Sequence, residues 1–240
     1  MNTESPFLSV ILVTPDSYET IRKVVGHLRV QSARDRLEIV IMAPSEARLE
    51  PDPAALEDFF AWRVVEVGEI DSLGPVEAEG FREARGVAVV YVEEHSFPEP
   101  GWAEALIEAH AGPWAAVGPA MTNANPRTMV SWSCFLLDFG QWVAPGEPGP
   151  AAMLASHQTS YKRAPLMEYG SRLGELMETE VALQADLLAN GHRLYFEPAA
   201  RTDHVNVSRL RDLLVVQYHN YRAFAARRAA QGAWSWGRRL

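Results

Sequence analysis

Glu93-Glu94-His95 closes the apolar run Val89 to Val92 and sets a carboxylate and an imidazole two residues apart. Alternate residues at the end of a buried strand project the same way, so one divalent cation can touch both Glu93 and His95 while Glu94 faces elsewhere. Such an oxygen and nitrogen donor pair suits Mn²⁺ better than Ca²⁺, because imidazole is softer than water or carboxylate, with Mg²⁺ the harder alternative. A second acidic pair, Glu178 and Glu180, lies in a helical stretch. Residues two apart on a helix stand about 200° apart round its axis, so only one of them faces a cleft. A carboxylate there can take the proton of a hydroxyl as its oxygen attacks carbon, although the helix dipole favours acids in a first turn whatever their use. Lys162 and Arg163 are cations for a phosphate or simply solvated charges. Trp132, Trp142 and Tyr161 are surfaces on which a ligand ring can stack, or core aromatics.

The elements that carry these residues follow an alternating rhythm. Strand-length apolar runs are expected at Leu8–Val13, Leu37–Ala43, Arg63–Val67, Val87–Val92 and Ala115–Val117, with helices between them at Tyr18–Val30, Pro53–Ala61, Pro75–Ala84 and Trp102–His110. That order predicts an α/β fold with a Rossmann-like, mainly parallel sheet flanked by helices. Met121 to Pro165 is rich in Asn, Pro and Gly, and Ala144 to Pro150 reads as loop, which suits an active-site cover. A helix is expected over Leu173–Ala189, stopped by Asn190-Gly191, then a strand Arg193–Phe196, a turn at Pro198 and a final helix from Ser208. The expectation is one domain over 1–240 in three parts: a first half (1–119), a second half (120–206), and a C-terminal helix and tail (207–240).

Composition narrows the function classes. The 240 residues are 48% hydrophobic and 22% charged, ordinary for a globular chain. A net charge of -9 repels a nucleic-acid backbone, so no nucleic-acid partner is expected. The turn Thr14-Pro15-Asp16-Ser17 lacks the glycines that let a dinucleotide approach, and there is no Gly-x-x-x-x-Gly-Lys loop, zinc spacing or Ser-His-Asp order. The single Cys134 fits a reducing compartment, and the apolar run Phe7–Val13 is too short for a membrane span, so a cytoplasmic protein is expected. At the C-terminal end Arg222, Arg227, Arg228, Arg238 and Arg239 mix with Trp234 and Trp236, a composition that suits either a membrane headgroup region or an amphipathic terminal helix.

Three ordered pieces carry a family resemblance from about Leu8 to Asn206. They are Ser9-Val10-Ile11-Leu12-Val13-Thr14-Pro15, the run Val89 to His95 followed by Pro98-Glu99-Pro100-Gly101-Trp102, and Met177 to Glu180 followed by Asn190-Gly191, Tyr195-Phe196-Glu197-Pro198 and Asp203-His204. Together they resemble a family 2 glycosyltransferase of the GT-A fold, with Glu93-Glu94-His95 in place of the family's Asp-x-Asp motif. A carboxylate-x-histidine form is known in the polypeptide GalNAc-transferase branch. The resemblance implies an inverting transfer of a sugar from a nucleotide sugar, a UDP-sugar first, to a hydroxyl acceptor. It implies Glu180 as base with Glu178 in reserve, and a divalent cation on Glu93 and His95 with His204 as third ligand. It also implies donor contacts at Thr14, Pro15, Asp16, Asp71, Glu94, His157, Ser160 and Tyr161, the last three from a loop under the donor. The acidic pair that holds the base in the family is Ala43-Pro44 here, for which Asp16, Asp71 or Glu46 are the substitutes on offer. A non-catalytic module that binds a sugar nucleotide or a partner is the alternative.

Overall fold

The computed structural model describes residues 5–178 and 180–231. The run Leu-Ser-Val-Ile-Leu-Val forms β1 (Leu8–Val13), buried along its whole length, and β2 (Leu37–Ala43), β3 (Ala61–Glu66) and β4 (Ala88–Tyr91) lie parallel to it or to each other in the order β3-β2-β1-β4. Continuous apolar strands of this kind are the mark of a parallel sheet covered on both faces. The second half extends the same sheet through β8 (Ser160–Lys162), β6 (Ala116–Asn123), β9 (Leu194–His204) and β5 (Ser96–Pro98), with β7 (Gly149–Ala151) on β9. β8 runs antiparallel between β4 and β6, and β6 and β9 are parallel, so the sheet is mainly parallel with reversed strands at β5, β7 and β8.

Helices cover both faces. On one side α1 (Tyr18–Arg29) and α5 (Trp102–Ala109) bury Ile21, Val24, Leu28, Trp102 and Leu106 against Leu8, Val10 and Leu12. On the other, α4 (Leu73–Glu83), α8 (Arg172–Met177) and α9 (Glu180–Ala189) bury Phe81, Leu173, Leu183 and Leu187 against Ile11, Val40 and Val89. The alternation of β1 residues between the two cores is the period of two that pleating imposes. Short helices α2 (Glu46–Leu49), α3 (Pro53–Leu56) and α7 (Arg163–Met167) fill connections, α6 (Met129–Phe139) covers a third small core at Met121 and Ala155, and α10 (Leu210–Gln231) ends the described chain.

Several sequence-based expectations need correction. The helix expected over Pro53–Ala61 is a single turn, and Ala61 already belongs to β3. Met121 to Pro165 is not mainly loop: it holds the end of β6, α6, β7 and β8, because Phe135 and Phe139 find a core against Met121 and Ala155. The helix expected over Leu173–Ala189 is instead two, α8 ending at Met177 and α9 described from Glu180, and α4 packs closely beside the end of α8, where a Cβ on Gly74 would lie 2.6 Å from the Glu178 backbone nitrogen. The strand expected over Arg193–Phe196, with a turn at Pro198, runs on to His204, since Pro198, Ala199 and Ala200 are absorbed as a bulge between the pairs Pro119–Glu197 and Ala120–Arg201. Trp234, Trp236, Arg238 and Arg239 lie outside the described residues.

Candidate active site

The C-terminal ends of β4, β6 and β9 meet at one place, the usual location of sites in open α/β sheets. β4 ends at Tyr91, so Glu93, Glu94 and His95 stand in the turn before β5 and not, as expected, on the strand itself. The turn is closed by the Ser96 amide donating to the Glu93 carbonyl (3.0 Å). β5 then pairs antiparallel with β9 in a register that sets Ser96 opposite His204, which delivers an imidazole from 109 positions along the chain to the acidic turn. The turn Pro98-Glu99-Pro100-Gly101, with Gly101 at φ 91°, leads into α5 and anchors β5 from the other side.

Glu93, His95 and His204 offer one ligand atom each, all within 4.8 Å of one another. Both Nε2 atoms face the same Glu93 oxygen, Oε2, at 3.8 Å from His95 and 3.5 Å from His204. The other ring nitrogens are held from outside: His95 Nδ1 lies 3.3 Å from Glu94 Oε1, and His204 Nδ1 lies 3.0 Å from Asn206 Oδ1. Outer partners of this type fix ring orientation and tautomer in metal-binding histidines. Phe139 packs on the His204 ring at 4.7 Å. The donor set therefore fits a divalent cation, and Glu94 sits behind His95 as its orienting carboxylate. Burial by itself would raise the Glu93 carboxyl, but the charge of His157, the His204 hydrogen bond and the charge of His95 outweigh it and pull it down to about 2.

Glu180 begins α9 and is buried, with its side chain tied at both oxygens. Oε1 accepts the His157 amide at 2.5 Å and lies 3.3 Å from His157 Nδ1; Oε2 accepts the Tyr161 hydroxyl at 2.8 Å. A carboxylate has about four lone-pair directions, so acceptor capacity remains. Desolvation would lower His157, yet Glu93 and Glu180 hold it up at about 10 and so positively charged. His157 and its neighbour Gln158 both adopt left-handed backbone, φ 57° and 67°, which non-glycine residues take only under constraint. The constraint is the sheet: the Gln158 amide donates to the Tyr91 carbonyl (3.1 Å), and the strained pair turns the chain so that β8 can enter between β4 and β6.

One cavity of about 1000 Å³ joins these groups, with Glu93, His95, His157, Glu178, Glu180 and His204 on its wall. Glu178 is exposed and accepts a hydrogen bond from the Ser72 hydroxyl. The remaining residues expected to touch a donor stand apart from that wall. Thr14 is buried, with Pro15 and Asp16 exposed beyond the end of β1, and Asp71 is exposed before α4. Asp16 and Glu46 are exposed too, and neither they nor Ala43 and Pro44 line the cavity; the acid beside Ala43 is Glu66, its register partner on β3, which accepts the Glu46 amide at 2.7 Å. Ser160 and Tyr161 are not loop residues but members of β8: Ser160 donates to the Val117 carbonyl (3.0 Å) and meets His110 (2.8 Å), and Tyr161 is buried on Glu180. A sugar ring has no access to Tyr161, whereas Trp142 lines the cavity. Lys162 and Arg163 spend their charges on carbonyls, Lys162 on Gly112 and Arg163 on Phe81 and Arg82.

Three residues of the site are not among those expected from the sequence. Asn206 steadies His204 and is itself gripped by the Asn125 side chain, which accepts its amide at 2.8 Å. Gln184 binds the Tyr161 hydroxyl (3.3 Å) and accepts the Leu154 amide (2.8 Å), bracing the Tyr161 partner of Glu180 from behind. Glu77 of α4 is buried with neither carboxylate oxygen partnered, and burial pushes it up to about 8, with His157 opposing and Glu180 and Glu93 reinforcing. A His-x-Asn spacing at a strand end marks Asn206 in hindsight; Glu77 and Gln184 look like any polar helix residue.

No family model matches the sequence, and no curated protein matches it. Solved structures do. GalNAc-T7 with UDP, GalNAc and Mn²⁺ superposes with a TM-score of 0.61 at 16% identity, over 85% of this chain and 44% of that one. S. aureus TarS gives 0.61 at 18% identity over 92% of this chain and 39% of its own, and TarS 1-349 in complex with UDP-GlcNAc gives 0.60 at 16% over 84% and 59%. The chain thus spans roughly two-fifths to three-fifths of the lengths of these neighbours. At such identities the likeness concerns the fold, and the fold of this chain is that of the GT-A glycosyltransferases.

Proposed function

We propose that the protein is a family 2 type glycosyltransferase that moves a sugar from a nucleotide sugar to a hydroxyl with inversion. The observation that carries the reading is the carboxylate and two imidazoles within 4.8 Å of one another, sharing a cavity with a buried, tethered Glu180. The nucleotide sugars bound by similar structures support a donor of that class, with UDP first. Glu93, His95 and His204 would hold a divalent cation, Mn²⁺ ahead of Mg²⁺, and such an ion supplies Lewis-acid neutralisation of a departing diphosphate. Glu94 and Asn206 keep the two rings aimed inward. Glu180 takes the acceptor's proton while the acceptor oxygen forms its bond to the anomeric carbon and the bond to the diphosphate breaks. Tyr161 and the His157 amide fix the carboxylate in place for that step, and Glu178, at the cavity rim, is the reserve base.

The same reading sets the chain as one GT-A unit in a cytoplasmic setting, in keeping with its lone, buried Cys134. Among the described residues no helix is long and apolar enough to cross a membrane, and the Trp and Arg tail is proposed as a peripheral contact with anionic lipid. The alternative, a sugar-nucleotide-binding module without turnover, draws on the Ala43-Pro44 departure. Incubating the protein with UDP-sugars across a Mn²⁺ titration separates the two. A transferase shows metal-dependent release of UDP and a rise in melting temperature that needs both metal and nucleotide. Thermal stabilisation with no release at any Mn²⁺ concentration assigns the binding module, and neither response rejects both.

A further inference from the structure

The cavity wall has two unlike parts. The strand-end side contributes Glu93, His95 and His204 with Glu180 of α9; α6 and α10 contribute Leu136, Leu137, Val216 and Tyr221 beside the hydrogen-bonded Asp138 and Gln217. A volume of about 1000 Å³ is at the top of the range for ligand pockets, which leaves room beyond a single polar ligand. The apolar wall does not stop at the cavity mouth. Met129 (85% exposed), Leu136 and Leu137 of α6 and Leu210, Leu214 and Tyr218 of α10 continue it across the surface. The two helices are tied side by side, with Gln217 Nε2 donating to Asp138 Oδ1 at 3.0 Å. A contiguous apolar surface of this kind is uncommon on a free soluble chain and marks an interaction site.

Charge narrows what meets it. The segments 127–140 and 209–222 carry four arginines (Arg127, Arg209, Arg211, Arg222) against two aspartates, in a chain whose net charge is -9. All four arginines are exposed. An apolar face ringed with cations and joined to a catalytic pocket fits the surface of an anionic bilayer, into which apolar side chains dip while arginines meet headgroups. It does not fit an acidic protein face as well, since Leu136, Leu137, Val216 and Tyr221 share one cavity with Glu180 and ask for a ligand with an apolar body that enters it.

Resting on the transferase reading above, we propose that the acceptor is a hydroxyl-bearing membrane lipid, its hydrocarbon chain lying in the cleft between α6 and α10 and its hydroxyl reaching Glu180. The lipid oxygen then takes the sugar, its proton passes to Glu180, and the nucleoside diphosphate leaves.

The test uses hexyl, octyl and decyl β-glucosides below their micellar concentrations, with binding measured calorimetrically on the full chain in the presence of UDP and Mn²⁺. Each buried methylene is expected to tighten binding roughly fourfold, so each two-carbon step lowers Kd on the order of fifteenfold. The double variant Leu136→Asn with Leu137→Asn is expected to reduce that step to about twofold at an unchanged melting temperature; should it unfold, Leu137→Asn alone carries the comparison. Vesicles of phosphatidylcholine with phosphatidylglycerol are expected to float the wild-type chain, and neutral vesicles much less. Equal affinity across the glucosides while UDP still binds overturns this proposal and spares the transferase reading. Chain-length dependence without any UDP binding or release leaves the lipid cleft standing and removes the transferase. Length-dependent binding with no flotation overturns the bilayer as the source and assigns a soluble apolar aglycone.

Discussion

At the residue scale the site is a set of held side chains. Glu180 is fixed by two donors, so replacing it with the isosteric amide keeps the packing and removes the proposed base. Glu180→Gln is expected to lower kcat by roughly 10²- to 10⁴-fold with donor Kd nearly unchanged, read from transfer kinetics beside nucleotide binding; wild-type turnover would remove Glu180 from the role. Asn206 acts through His204, and its loss frees the ring. Asn206→Ala is expected to weaken Mn²⁺ binding on the order of 10- to 100-fold by calorimetric titration, and an unchanged affinity would mean that the ring needs no such partner. Glu77 makes a pH prediction. Its folded value, about 8, lies above its ordinary 4.5, so the stability linked to its protonated form is complete below about pH 4.5 and is lost as pH rises through about 8. Glu77→Gln is expected to flatten the fall in melting temperature between about pH 5 and about pH 9; an unaltered slope would show that Glu77 does not titrate in that window.

At the element scale the decisive feature is the crossing of α4 over the junction of α8 and α9. Gly74 lets the two backbones touch, with 2.6 Å between its absent Cβ and the Glu178 nitrogen. The contact falls two positions before Glu180, the first described residue of α9. Gly74→Ala is expected to cost about 1–3 kcal/mol in denaturant unfolding and to lower kcat with it, because the junction must shift. Stability loss with full activity would separate the crossing from the site. The sequence reading of elements was accurate where the chain is apolar and regular: β1 and β2 match to the residue, as does the start of α1 at Tyr18. It was poorest between Met121 and Pro165, where proline and asparagine hide a helix whose stability comes from its tertiary partners Met121 and Ala155.

At the scale of the whole molecule the sheet separates stability from chemistry. The site occupies the C-terminal strand ends, while near the starts of β1 and β2 a buried cluster knits the parallel half together. There Ser9 donates to Glu38 (2.5 Å), the Arg85 amide donates to Glu38 (2.8 Å), and Arg63 reaches Glu38 at 3.2 Å. Glu38→Ala leaves the mostly buried Arg63 guanidinium with only the longer contact to Glu83 at 4.0 Å and is expected to destabilise the fold by about 3 kcal/mol by denaturant unfolding, with metal affinity unchanged in the folded protein. A weakened metal site would show that the two ends are coupled. What the sequence determined by itself was the alternation of apolar runs and helical periods, because burial on both faces of a parallel sheet is written locally, and the chemical types of Glu93, His95, Glu180 and His204. What only the tertiary structure decided was their meeting: the β5–β9 register that carries His204 to the acidic turn, the β8 insertion that spends Ser160 and Tyr161 inside the sheet, and the α6–α10 cleft. These are contacts between residues tens of positions apart, and no local pattern in a chain encodes which of its distant neighbours will be packed beside it.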